Sequence, residues 1–123
     1  MPPEAKYELE HDPAQNLIRA RVVGEIDPAL VERMAREVAE LARRHGCARL
    51  LSDLRGATLT PATLDIYAMP RIADESGVPP GFRRALLVAA TSRDFVFLET
   101  VAVNRGHSLR LFTDPAAALA WLA

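Results

Sequence analysis

The chain is poor in the features that most quickly assign a protein to a class. It has a single cysteine, Cys47, so no internal disulfide can form, which is compatible with a reducing cytoplasm. It has a single lysine, Lys6, and its 15 basic residues are offset by 16 acidic ones, for a net charge of −1. Without a basic excess, nucleic acid and anionic membrane surfaces are not the expected partners. No apolar run, that at 85–90 included, approaches the roughly 20 residues needed to span a bilayer. Residues 1–12 are polar and lack the apolar core of a secretion signal, so a cytoplasmic protein without membrane insertion is expected. The glycines fit neither the dinucleotide-binding fingerprint nor the Gly-x-Ser-x-Gly nucleophile elbow. His11, His45 and His107 have no metal-ligand spacing, so neither a metal nor another cofactor is expected, and no catalytic set is apparent.

What is present is punctuation. Asp27-Pro28, Thr60-Pro61 and Asp114-Pro115 each place a capping side chain before a proline. The cap accepts a hydrogen bond from an orphan amide at a helix start, and proline suits the first helical position because its missing N–H had no partner there. The pairs mark strand-to-helix junctions in one domain over residues 1–123, half of whose residues are hydrophobic.

Strands are expected at 7–10 and 17–23, joined by a polar turn, with Ile18, Ala20 and Val22 on one face and Arg19 and Arg21 on the other. A helix over 28–45 carries an apolar stripe (Leu30, Met34, Val38, Leu41) and ends at Gly46. A short strand at 49–54 and a turn at 56–60 lead to a helix opened by Pro61, which Pro70 kinks or ends. Residues 76–81 read as a loop and 84–90 as a central strand. A helix capped by Thr91 or Ser92 runs to about Gly106, followed by a strand at 108–112 and a helix at 115–122. The predicted fold is α/β, with the first strand antiparallel at an edge and the others parallel in sequential order. Helices should lie mainly on one face, because Arg19, Arg21 and Arg110 would otherwise be buried charges. Met34, Val38, Leu41, Leu51, Leu86, Val88, Leu98 and Leu111 are the predicted core.

This element order resembles the STAS-like domains, those of sulfate transporters and anti-sigma-factor antagonists. The segment Leu51-Ser52-Asp53-Leu54-Arg55-Gly56 and the loop after it are similar to the family's strand, loop and helix stretch, where a phosphorylatable Ser or Thr sits at a helix N-terminus. The ending Arg110-Leu111-Phe112-Thr113-Asp114, then Ala118-Leu119-Ala120-Trp121-Leu122, resembles a standalone bacterial branch grouped with lipid-transfer-like STAS relatives. The resemblance implies a SpoIIAA-like fold, a four-turn βα superhelix, and a non-catalytic, cytosolic protein-interaction or regulatory module. It places Thr63 at the phosphoacceptor position. The antagonists' Asp-Ser-Ser-Gly signature is here Pro61-Ala62-Thr63-Leu64, which argues against classical switching by phosphorylation.

Ligands of open parallel sheets bind beyond the carboxyl ends of the strands. That rim holds Asp53, Arg55, Thr58, Thr63 and Arg93 as ligand or partner candidates; an Asp53–Arg55 tie within the turn is the structural alternative. The helix over 92–106 has two apolar sides: Phe95, Leu98, Val101 and Ala102 form one, while Val96, Phe97 and Val103 point away from it. The second side predicts a homodimer or partner interface. The segment 69–82, with Ile72, Val78 and Phe82, is the alternative cover, either as an ordinary connection or as a lid over a small apolar or lipid-like ligand. A pocket of about 300 Å³ or more behind it would favour a carrier. A flat apolar patch on the helix would favour the interaction module.

Overall fold

The computed structural model describes residues 6–59, 69–78, 81–90 and 92–123. Its elements are β1 (Lys6–Asp12), β2 (Leu17–Ile26), α1 (Pro28–His45), β3 (Arg49–Leu59), α2 (Met69–Glu75), β4 (Arg83–Leu87), α3 (Arg93–Asn104), β5 (Ser108–Phe112) and α4 (Pro115–Leu122). The five strands form one sheet in sequential order. β1 runs antiparallel to β2, and all later pairings are parallel, as the alternation of strands and helices predicts. The capping chemistry is in place. Asp27 Oδ1 accepts from Leu30 N at 2.8 Å, and Asp114 Oδ1 accepts from Ala116 N at 3.2 Å. Ser92 Oγ caps α3 by accepting from Phe95 N at 3.2 Å. Gly46 ends α1 at φ 60°, a left-handed conformation that costs glycine little. The Thr60-Pro61 junction lies outside the described residues.

Alternation along the strands divides the sheet into two faces. Val22, Leu54, Leu86 and Val88 pack with Leu30 of α1 and Phe95, Leu98, Val101 and Ala102 of α3. A neighbouring cluster joins Ile18, Ala20 and Leu50 to Val38 and Ala42 of α1. Leu17, Leu51, Ala85 and Leu87 face the other way, toward Ala118 and Leu122 of α4. One short helix leaves much of that second face open, so Arg21 and Arg110 are exposed and Arg19 is half-exposed, paired with Asp12 at 3.2 Å. Of the predicted core, Val38, Leu51, Leu86, Val88 and Leu98 are buried. Met34, Leu41 and Leu111 are only half-buried. Met34 shares the stripe of Leu30 and Val38 and packs against both clusters without being sealed from solvent, Leu41 packs against the second, and Leu111 lies on an edge strand.

Three sequence expectations are corrected. β3 does not stop at Leu54, and residues 56–59 are strand, not turn. Arg21 pairs with Asp53 but Val23 with Gly56, so two β3 residues oppose Val22. This bulge restores pairing through Leu59 and changes parity, which puts Leu54, Ala57 and Leu59 all on the core side. A glycine inside a strand is the signature of such a bulge. β4 is shorter than expected and ends at Leu87. Finally, 69–82 is not a free loop. Met69–Glu75 is helical with Pro70 inside it, and Val78 and Phe82 are core residues, 5% and 1% exposed.

Long-range hydrogen bonds close the ends. Arg49 donates to Leu122 O at 2.8 Å and to Asn16 O at 3.1 Å, and Arg83 donates to Trp121 O at 3.3 Å. These guanidinium groups satisfy carbonyls that the last turn of α4 leaves open and complement the negative end of its dipole. On the outer edge, Leu111 N of β5 donates to Glu99 Oε2 of α3 at 2.7 Å.

Candidate functional site

The rim residues are only partly brought together. Asp53 and Arg55 close on each other: Arg55 N and Nε donate to Asp53 Oδ1 at 3.1 and 3.0 Å, and Nη2 to Oδ2 at 2.9 Å. The pair holds the Asp53 carboxyl below its usual range and raises the Arg55 guanidinium. The hydrogen bonds come first among the causes, and the Asp53 carboxylate already has three donors from a single neighbour. Arg55, Thr58, Ser92 and Asp94 line a depression of about 250 Å³ at the carboxyl end of the sheet. Arg93 is exposed and does not line that depression. Thr63 lies outside the described residues.

Helix α3 divides as its spacing predicts. Phe95, Leu98, Val101 and Ala102 are buried against the sheet. Val96, Phe97 and Val103 are 40%, 38% and 52% exposed, among the few large apolar side chains left open to solvent. Val96 and Val103 stay exposed although α2 packs against α3. Next to Val103, residues Glu99, His107, Arg110 and Trp121 line a shallow groove.

A third constellation escaped the sequence reading. Between the sheet and helices α1 and α3 lies a cavity of about 110 Å³, walled by apolar residues including Val22, Leu30, Val38, Leu86, Phe95 and Leu98. Two polar residues reach it, Ser52 of β3 and Arg84 of β4. Ser52 is 1% exposed, and neither its Oγ nor Arg84 Nε, both shut off from solvent, has a hydrogen-bond partner. The rest of the Arg84 guanidinium is held: Nη2 donates to His107 Nδ1. A ring nitrogen that accepts from a guanidinium carries no proton, so the His107 proton sits on Nε2, 3.2 Å from Asp74 Oδ1 of α2. Burial pushes the Arg84 pKa down, and the Asp74 charge opposes this. The signal was a serine and an arginine at core-facing positions of two strands whose other core-facing residues are apolar. Ser52 belongs to the strand-and-loop segment that carries the resemblance and Arg84 to no motif, and only pairing of β3 with β4 and docking of α2 bring them together with His107 and Asp74.

The histidines His11 and His45, distant in sequence, stack with ring centroids 4.0 Å apart. Among the described residues, no three His, Cys, Asp or Glu side chains cluster closely enough to hold a metal ion. No helix among them is long and apolar enough to cross a membrane.

A sequential five-stranded sheet with one antiparallel edge, helices α1 to α3 on one face and α4 on the other defines a SpoIIAA-like, STAS-type fold. Three solved structures carry that likeness. An anti-sigma factor antagonist from Mycobacterium paratuberculosis superposes with a TM-score of 0.63 at 14% identity, over 97% of this chain and 94% of its own. An uncharacterised protein of the DUF3478 family from Shewanella loihica, itself described as SpoIIAA-like in fold, gives 0.60 at 19% identity, over 97% and 93%. The anti-sigma factor antagonist SpoIIAA in its unphosphorylated form gives 0.55 at 15% identity, over 94% and 96%. No family model matches the chain, and no curated protein does.

Proposed function

We propose that this protein is a non-catalytic, cytoplasmic regulatory module of STAS type that works by binding protein, and that the outer face of α3 is its docking surface. The observation that carries the reading is the exposed pair Val96 and Val103, seven positions apart on a helix whose opposite face is buried. Leaving such side chains in water forfeits hydrophobic free energy that a partner would recover. Two of the structural neighbours are described as anti-sigma factor antagonists, which supports a regulatory binding role for the fold. The cavity of about 110 Å³ falls short of the volume that would favour a lipid carrier.

The first occupant to test is a second copy of the chain. Around a two-fold axis the α3 patch meets itself, so one introduced charge per chain brings two like charges together. The wild type is expected to be a dimer burying more than roughly 1,000 Å² in total. Val103→Glu should convert it to a monomer with an unchanged circular dichroism spectrum. Light scattering during gel filtration checks both, and a wild type that weighs as a monomer at high micromolar concentration defeats the homodimer.

A further inference from the structure

We propose that the cavity beneath α1 and α3 is a binding site for a small carboxylate with a compact apolar body, a short branched chain. The site is separate from the docking face of α3 and stands without it.

A buried hydroxyl or guanidinium N–H without a partner costs free energy, so nearly all such groups in proteins are satisfied. Here two of them border the same cavity from adjacent strands. Leu50 pairs with Arg84 and Ser52 with Leu86, so Ser52 and Arg84 stand two positions apart on the core side of the sheet. Both atoms can donate, and one belongs to a cation. The complement is an oxygen with negative charge, which a carboxylate supplies in charge-assisted hydrogen bonds. The remaining wall is apolar and demands an apolar body. Arg84 is oriented independently of any ligand, because His107 holds one end of its guanidinium and is itself held by Asp74. Such preorganisation lowers the cost of binding. Size sets the class: an apolar cavity of about 150 Å³ accepts benzene, so this one of about 110 Å³ suits a carboxylate with a short branched chain and excludes a ring bearing a carboxylate as well as a lipid tail.

The test uses isobutyrate and isovalerate, with isobutanol as the neutral analogue of isobutyrate. The wild type should bind both acids by calorimetry. Methyl groups of Val38, Leu86 and Leu98 should show nuclear Overhauser contacts to the isobutyrate methyl protons. Ser52→Ala should fold at least as stably as the wild type, since it deletes an unpartnered hydroxyl, yet bind isobutyrate about tenfold more weakly. Arg84→Met should lose isobutyrate binding and retain affinity for isobutanol, which keeps the test valid if absolute affinities change. The proposal is overturned if neither acid binds, if isobutanol binds the wild type as tightly as isobutyrate, or if the ligand contacts map to the surface. Long-lived water resonances in the cavity together with no binding of acid would identify ordered solvent as the partner of Ser52 and Arg84.

Discussion

At the C-terminus of α1 the helix dipole favours a cation, which by itself would raise the pKa of His45. In the folded protein the balance goes the other way. Burial, then the nearby His11 ring, then Arg44 hold the His45 pKa below 6.5. The unfolded chain therefore binds the proton more readily than the folded one. Stability is complete above the unfolded value and falls as pH drops through 6.5 toward the folded value. Asp12 and Asp53, both held low mainly by hydrogen bonds, extend the loss into the range below 3.8. The melting temperature should decline between pH 7 and pH 5, and His45→Gln should flatten that decline. Thermal scans at fixed ionic strength check this, and a wild-type profile with no slope there would contradict the stacked geometry. None of this is legible in the sequence, because 34 positions separate two rings that β1 and α1 bring face to face.

Helices and strands differ in how openly the chain declares them. α1 and α4 have the bounds expected from Asp27-Pro28 and Asp114-Pro115, because capping is decided by neighbours in sequence. Asp27→Ala should cost about 0.5–2 kcal/mol, read by chemical denaturation. An unchanged midpoint would mean that tertiary contacts alone hold the first turn of α1. β3 declares itself poorly. Its second half is strand only because Gly24, Glu25 and Ile26 pair with Ala57, Thr58 and Leu59, and a one-residue bulge at Leu54–Arg55, just before Gly56, imitates a turn. The candidate sites divide in the same way. The apolar outer face of α3 follows from helical periodicity and was legible. The Ser52–Arg84 cavity depends on the register between two strands and the docking of α2, which no local pattern encodes.

At the scale of the whole molecule, β4 joins the layers. Ala85 and Leu87 face α4, whereas Leu86 faces α1 and α3 and borders the cavity. Leu86→Ala removes contacts from a central strand and enlarges a void, so it should destabilise the entire fold by about 2–5 kcal/mol. Loss should be cooperative, with fluorescence of Trp121 and far-ultraviolet circular dichroism moving together. A melting temperature equal to that of the wild type would show that β4 is not the central support.

The hydrogen bond from Leu111 N to Glu99 Oε2 has a consequence for how copies of the molecule can meet. An outer strand with open amides is a template on which another chain can extend the sheet, and unchecked extension leads to fibres. In β5 a carboxylate from the adjoining helix occupies one of those amides and sets a negative charge against an incoming backbone. Growth by strand addition along this border is therefore discouraged.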